Sequence, residues 1–263
     1  TYTVWYIMGQ GLEIWTMKIV KEYYNQTFIY NPDLVYLPLR VGILSTGNEI
    51  LKVGEQISKD KIPSGNSLML ASMVQEFGGI ARILPVAKDN LQDIYEILEN
   101  ALDSDLIITT GGVSVGKYDL IQKALSKFVN KIEFWKIAMR PGKPLLFSKI
   151  INTPLIGLPG NPVAAFVCTL VFGKPICGLL SGEGWVQLGS FNIPASFSKA
   201  KKTGRREYLR AKIKDGKAEI FHSEGSGRIS GLSWAEGLVE LPEDLEKVKV
   251  GDLVKYMPFS GLV

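Results

Sequence analysis

The chain has 263 residues, of which 46% are hydrophobic and 21% charged, with a net charge of +4. This length suits one large or two moderate domains, and the composition is that of a globular chain rather than a disordered one. The mild positive charge is scattered and gives no reason to expect nucleic-acid binding. We expect no membrane span, because Gly-Lys-Pro at 173–175 interrupts the longest apolar candidate, 163–180, before it reaches the roughly 20 residues needed.

The two cysteines and the single histidine limit the kinds of catalytic or metal site that the chain can form. Cys168 and Cys177 lie on one apolar segment and are expected to be buried free thiols, which fits a reducing cytoplasm. His222 is the only histidine, so a site with two histidine ligands is excluded. A Ser-His-Asp arrangement would have this single candidate base, and we do not favour it. A bound metal would then take oxygen ligands, which indicates Mg²⁺.

The first 37 residues are aromatic-rich and remain an unassigned segment. They lack the basic start and clean apolar core of a signal peptide. Their aromatic side chains are expected to pack rather than to form a binding platform: Trp5, Trp15, Tyr23, Tyr24, Phe28 and Tyr30.

Residues 38–182 alternate between strand-like and helix-like segments. Strands are predicted at 39–44, 80–86 and 106–110, and helices at 68–77, 91–102 and 120–128. Ser64 or Asn66 is suited to capping the first helix, and Asp89 or Asn90 the second. This repetition predicts an α/β domain, a three-layer doubly wound parallel sheet with helices on both faces.

A glycine-rich turn follows the third predicted strand. Thr109-Thr110-Gly-Gly-Val-Ser-Val-Gly-Lys-Tyr-Asp119 places three glycines within six residues and a carboxylate three residues after the last of them. Glycines let the backbone turn sharply and approach a ligand, and exposed N–H groups in such a turn attract anions. The pattern predicts a site for a phosphorylated ligand, although an ordinary tight turn between strand and helix has the same glycine pair.

Three more loops of this kind stand at predicted strand ends. They are Ser-Thr-Gly-Asn-Glu at 45–49, Arg-Pro-Gly-Lys-Pro at 140–144 after a strand-like run at 134–139, and Gly-Leu-Pro-Gly-Asn-Pro at 157–162. Ligands of open α/β sheets bind outside the carboxyl ends of the strands. We therefore expect the four loops to converge on one crevice.

The pattern changes after a linker at 181–184. Strand-like runs at 208–213, 218–221 and 238–241 are separated by turns such as Lys-Asp-Gly-Lys at 214–217. Residues 183–263 are therefore predicted to form a small all-β domain.

These four motifs, in this order and with a β-rich tail behind them, closely resemble the MoeA family of molybdopterin molybdenumtransferases, related to the E domain of gephyrin. The resemblance covers roughly residues 38–263. It implies the last step of molybdenum cofactor biosynthesis, in which molybdate is inserted into adenylylated molybdopterin and AMP is released, with Mg²⁺ as cofactor. It also implies a cytoplasmic homodimer. The MogA/MoaB family, whose members include adenylyltransferases, shares the α/β domain but lacks the tail.

The resemblance assigns catalysis to Glu49, Asp89, Asp119, Lys136 and Arg140, with Glu49 and Asp119 as the metal ligands. It implies a further set of ligand-binding residues: Thr46, Gly47, Gly111, Gly112, Ser114, Gly116, Lys143, Pro159, Gly160, Asn161, Pro162, Arg205 and Ser226. The residues alone leave alternatives open. Asp89 and Asp119 also suit helix caps, Arg206 is as well placed as Arg205, and 223–228 also fits a solvated loop.

The chain departs from the family pattern in several places. Asn48 stands where Asp is usual, Arg140 where Lys is common, and Ala164 where Ser is frequent. Family members are also much longer, and residues 1–37 do not resemble the two domains that normally precede position 39. A binding module or scaffold for molybdopterin, without full catalytic activity, is therefore the alternative function.

Overall fold

The computed structural model describes residues 37–51, 56, 61–112, 120–128, 132–223 and 229–261. Ser114, Gly116, Asp119 and Ser226 lie outside this part of the chain, as does all of the N-terminal segment except Leu37. Their predicted roles stay predictions.

The described elements follow one another along the chain as strands and helices. The strands are β1 (Arg40–Ser45), β2 (Ile50–Leu51), β3 (Ile62–Pro63), β4 (Ile80–Ile83), β5 (Leu106–Thr110), β6 (Phe134–Trp135), β7 (Met139–Arg140), β8 (Leu146–Ile150), β9 (Thr153–Leu158), β10 (Phe191–Pro194), β11 (Lys199–Ala200), β12 (Arg206–Lys214), β13 (Lys217–Ile220), β14 (Gly237–Leu241), β15 (Lys247–Val248) and β16 (Leu253–Pro258). The helices are α1 (Gly65–Glu76), α2 (Leu91–Glu99), α3 (Leu120–Phe128), α4 (Pro162–Cys168), α5 (Lys174–Leu180) and α6 (Ser230–Trp234).

Within the described residues, a six-stranded sheet has the order β4-β1-β5-β9-β8-β6. The first four strands are parallel, whereas β8 and β6 run antiparallel to their neighbours. The prediction of a wholly parallel sheet is therefore wrong at this edge. The two residues between β8 and β9 are too few for a crossover, so these strands form a hairpin, with Ile151 at a φ of 54°.

Helices cover both faces of this sheet, which confirms the three-layer architecture. On one face, Leu70 and Val74 of α1 pack with Val167 of the α4 segment against Ile108. On the other face, α2 and α3 pack against Ile107. Strand β5 is buried throughout because it is central in the sheet and covered on both sides.

The helix after β9 continues through the predicted break at 173–175. A π-helical turn, Thr169–Gly173, joins α4 to α5, with the Lys174 N–H bonded to the Thr169 carbonyl. The wider turn relieves the clash of the Pro175 ring with the carbonyl four residues earlier. The prediction of an interruption was wrong. The span Pro162–Leu180 is long and apolar enough to cross a membrane, but 78% of its most apolar window is buried within the protein, as in a core helix.

Both cysteines lie in this core helix, and the prediction of buried free thiols is confirmed. Burial raises the pKa of the Cys177 thiol to about 12 and also raises that of Cys168. Neither thiol is therefore ionised at neutral pH.

The tail forms a second sheet with the order β10-β16-β14-β12-β13 among the described strands, around its own apolar core. Asp215 and Gly216, both at positive φ, close the β12–β13 hairpin as the 214–217 turn predicts. The run 134–139 does not form one strand. Lys136, at a φ of 69°, divides it, so that β6 joins the first sheet and β7 pairs in parallel with β12 of the second.

Candidate functional site

Three of the predicted loops meet at the carboxyl ends of β1, β5 and β9, and we call this region the strand-end crevice (45–49, 110–112 and 158–161). Backbone bonds join the loops: the Thr46 N–H donates to the Thr110 carbonyl at 3.2 Å, and the Gly111 N–H donates to the Leu158 carbonyl at 3.2 Å. The Thr110 hydroxyl also donates to the Pro159 carbonyl at 3.2 Å. The loops therefore form one connected rim, because parallel strands bring their ends to one edge of the sheet.

Asn66 secures this rim from the start of α1. Its side-chain amide donates to the Thr110 hydroxyl oxygen at 2.9 Å and to the Gly160 carbonyl at 2.8 Å. The N-cap of α1 is Ser64, whose hydroxyl makes no capping bond and instead lies 3.3 Å from that of Ser45. Sequence reasoning considered Asn66 only as a cap, because nothing local indicates that it reaches two distant loops.

The glycines of the 110–112 turn are required by close packing. Gly111 and Gly112 have φ values of 90° and 65°, which side chains rarely adopt. A Cβ atom at Gly111 would lie 2.7 Å from the Thr46 carbonyl oxygen, and one at Gly112 would lie 2.9 Å from the Thr46 hydroxyl oxygen. Gly160 packs on Gly111: a Cβ atom added to Gly160 would lie 3.4 Å from the Gly111 Cα.

The acids of the crevice have different environments. The Asp89 carboxylate accepts from the Asn48 backbone N–H at 3.1 Å, and the Asn48 side-chain oxygen accepts from the Asp89 N–H at 3.0 Å. Asn90, not Asp89, caps α2, by accepting from the Asp93 N–H. The capping alternative for Asp89 is therefore wrong, and this residue fastens the 45–49 loop to the loop after β4.

Glu49 is exposed, and its carboxylate lies against Gly47: a Cβ at Gly47 would be 2.7 Å from one carboxylate oxygen. Among the described residues, no three acidic, histidine or cysteine side chains group as a metal site. Mg²⁺ commonly binds proteins through one or two carboxylates together with substrate phosphates, so the exposed oxygen donors of Glu49 suit such an ion.

A cavity of about 850 Å³ lies beside the crevice, between the 136–144 segment and the tail sheet; we call it the interdomain cavity. Its basic side chains come from both sides: Lys136, Arg140, Lys143, Arg205 and Arg210. Its apolar wall includes Ile137, Met139, Val163, Ala164, Leu209, Ile220 and Phe221. Such a cavity suits a ligand with a flat ring at one end and negative charge at the other.

Pro159 and Asn161 connect the two regions, because both line the interdomain cavity while belonging to the loop that the crevice shares. Asn161 also caps α4, accepting from the Val163 and Ala164 N–H groups at 3.2 and 3.4 Å. Pro162 occupies the first helical position, where the missing N–H costs nothing. Neither Gly160 nor Pro162 lines the cavity.

Arg210 is a cavity residue that sequence reasoning missed. It is buried, with its guanidinium 4.9 Å from the Phe221 ring centre and donating to the Ser223 carbonyl at 2.5 Å. Burial lowers its pKa. Little in the sequence signals it, because β12 carries charged residues along most of its length. The two neighbouring arginines differ in position: Arg205 lines the cavity, whereas Arg206 pairs with Glu243 at 3.1 Å.

Comparison with known families gives two matched regions, which correspond to the two parts of the chain. Residues 42–178 match the family described as "Probable molybdopterin binding domain", and residues 192–259 match "MoeA C-terminal region (domain IV)". The chain belongs to the MoeA family. The first match covers the six-stranded sheet except for its initial residues, and the second covers nearly all of the tail sheet except β7.

Relatives and solved structures of this family share most of the chain. "Molybdopterin molybdenumtransferase 2" of Mycobacterium tuberculosis is 35% identical over 83% of this chain and 56% of its own length. "Molybdopterin molybdenumtransferase" of Haemophilus influenzae is 32% identical over 87% of this chain and 58% of its own length. The chain thus spans just over half the length of these curated relatives.

Two archaeal structures resemble the fold. The molybdopterin biosynthesis MoeA protein of Pyrococcus horikoshii has a TM-score of 0.74 at 26% identity and covers 84% of this chain and 55% of its own. A molybdenum cofactor biosynthesis protein of Pyrococcus furiosus has a TM-score of 0.66 at 26% identity, covering 85% of this chain and 69% of its own.

Proposed function

We propose that this MoeA-family chain inserts molybdate into adenylylated molybdopterin with release of AMP. The observation that carries the proposal is the interdomain cavity, whose basic side chains, from the 136–144 segment and the tail, stand next to a glycine-lined crevice at strand ends. Relatives at 32–35% identity are named molybdopterin molybdenumtransferases, which supports the same reaction. The proposed function thus needs a site for the pterin phosphate and a site for molybdate, side by side.

The strand-end crevice would hold the phosphate region of the pterin substrate. Its turn, with Gly111 and Gly112 at positive φ, brings backbone close to the ligand without a side chain in the way. The Thr46 hydroxyl is buried beside this turn and has no hydrogen-bond partner among the described residues. A buried polar atom of this kind favours a ligand that completes its bonding.

The interdomain cavity would hold molybdate next to the dithiolene end of the pterin. Arg140 and Arg205 offer planar guanidinium groups, which bind oxyanions through paired N–H donors. The apolar wall at Val163 and Ala164 would pack against the flat ring and exclude water from the anion. The basic groups that line the cavity would keep the dianion where its oxygens exchange for sulfur.

Glu49, together with Asp119, would hold Mg²⁺ at the crevice. When bound there, the ion would neutralise the phosphate charge that builds up as AMP leaves. Asp89 would act differently, by fixing the loop that carries Glu49 through its reciprocal bonds with Asn48. A cytoplasmic homodimer is part of the same proposal.

A molybdopterin-binding module without transfer activity is the second candidate, because the chain spans only 56–58% of the named transferases. The deciding experiment incubates the full chain with adenylylated molybdopterin, molybdate and Mg²⁺, and measures AMP release and molybdenum in the pterin product. Molybdate-dependent release of AMP supports the enzyme. Retained pterin without AMP release supports the binding module, and failure to bind the pterin overturns both.

A further inference from the structure

A buried carboxylate stands behind the basic wall of the interdomain cavity. Glu207 of β12 is fully buried, and its side chain is 1% exposed. One oxygen lies 2.8 Å from Arg205 Nη2 and 3.7 Å from Arg140 Nη1, while the other lies 3.8 Å from Lys199 Nζ. A buried carboxylate is costly without partners, so this arrangement depends on cations on more than one side.

The topology explains why Glu207 meets both cavity arginines. β7 and β12 pair in parallel, and their register places Arg140 directly beside Glu207. Arg205 directly precedes β12, two residues before Glu207, and its guanidinium reaches the same carboxylate. The carboxylate therefore links the 140–144 loop, which leads into β8 of the first sheet, to the tail.

Each arginine has cavity-lining atoms as well as a contact to this carboxylate. Arg205 donates from Nε to Glu207 at 3.0 Å in addition to its Nη2 contact, so one edge of its guanidinium is fixed. Fixing one edge orients the rest of the planar group, and it removes side-chain freedom that a ligand would otherwise have to restrict.

We propose that Glu207 is a positioning residue that sets Arg140 and Arg205 for oxyanion binding, an inference that rests on the proposed function. Two effects of removing its charge oppose each other. Losing a nearby negative charge alone would strengthen anion binding, whereas losing the orientation of two arginines would weaken it. The direction of the change therefore tests the proposal.

The experiment is calorimetric titration of the full chain with molybdate. Glu207→Gln keeps the side chain's shape and is expected to weaken molybdate binding about tenfold, the scale of a lost charge-assisted hydrogen bond. Glu240→Gln is the matched control, because Glu240 is a buried carboxylate on the adjacent β14 that pairs with Arg206 and Lys255 and does not line the cavity. We expect the control to bind as the parent does, and equal or tighter binding by Glu207→Gln overturns the proposal.

A double-mutant cycle separates positioning from general destabilisation. In an Arg205→Ala background, Glu207→Gln should weaken binding by clearly less than in the parent, since part of its effect acts through Arg205. Equal losses in both backgrounds overturn the proposal. If Glu207→Gln does not fold, the pair Lys199→Gln with Glu207→Gln removes the carboxylate and the ammonium that faces it, and is compared with Lys199→Gln alone under the same criteria. A parent chain that binds no molybdate overturns the proposed function, and this inference with it.

Discussion

Arg140 shows how much of the site depends on single side chains. It ends β7, lines the interdomain cavity and lies 3.7 Å from the buried Glu207 carboxylate. Its guanidinium offers an oxyanion a planar fork of N–H donors, whereas a lysine would offer a point charge. At this scale the site is a set of oriented donors rather than a diffuse positive patch.

Arg140→Ala should raise the molybdate concentration needed for half-maximal binding about ten- to a hundredfold, since a charge-assisted hydrogen bond is worth on the order of 1.5–3 kcal/mol. Pterin binding should change much less. Arg206→Ala is the control, because Arg206 pairs with Glu240 and Glu243 away from the cavity. Titrations of both ligands measure the result, and loss of pterin with unchanged molybdate affinity would show that the two anion regions are reversed.

The turn at 140–144 packs on the core helix at a single glycine. Gly142 has a φ of 114°, and a Cβ there would overlap the Cys168 sulfur and lie 2.6 Å from the Met139 terminal methyl. Gly142→Ala should therefore lower the free energy of unfolding by about 1–3 kcal/mol. Combined with Cys168→Ala, it should cost less than the two single changes together, as urea unfolding would measure. Strict additivity would mean that the thiol does not limit this position.

At the scale of elements, the rim of the strand-end crevice depends on α1 as much as on the strands. Asn66 bonds both to the Thr110 hydroxyl and to the Gly160 carbonyl, so one helix holds two loops at fixed separation. The N-cap residue Ser64 adds a contact to Ser45 of the third loop at 3.3 Å. The positions of these loops in the crevice therefore depend on the contact that Asn66 makes from α1.

Asn66→Ala should destabilise the chain by about 1–3 kcal/mol, because it leaves the buried Thr110 hydroxyl without its donor and removes the bond to the exposed Gly160 carbonyl. The amount of molybdopterin retained on purification should fall with it. Asn100→Ala, at an exposed position that ends α2, is the matched control and should alter neither property. Thermal unfolding and pterin content are the two measurements. An Asn66 variant that matches the control in both would show that Asn66 does not hold the two loops together.

Elements with strong periodic patterns were predictable from the sequence. β5 spans the predicted residues 106–110, α3 spans 120–128, and the 214–217 turn forms a hairpin. β8 was missed because its pairing depends on the short connection to β9, and the core helix was wrongly divided because a π turn tolerates Pro175. β7 could not be foreseen as a strand of the tail sheet, since its partner β12 lies more than 60 residues later.

The same limit applies to the site residues. Motifs identified the loops, because glycine and proline patterns act locally. They did not identify Arg210, Glu207 or Asn66, whose importance comes from contacts with distant parts of the chain. The sequence motifs thus located the loops of the site, whereas the hydrogen bonds and ion pairs between its residues could be found only from the tertiary structure.

At the scale of the whole molecule, the central claim is that two sheets build one anion site between them. The chain passes from β6 in the first sheet to β7 in the second, and the interdomain cavity takes its basic groups from this 136–144 segment and from the tail. The most direct test is a crystal of the full chain soaked with molybdate and AMP, with the molybdenum located by its anomalous scattering. We predict a molybdenum peak in the cavity within bonding reach of Arg140 and Arg205, and AMP phosphate at the strand-end crevice. Molybdenum bound elsewhere, with the cavity empty at saturating molybdate, would contradict the account.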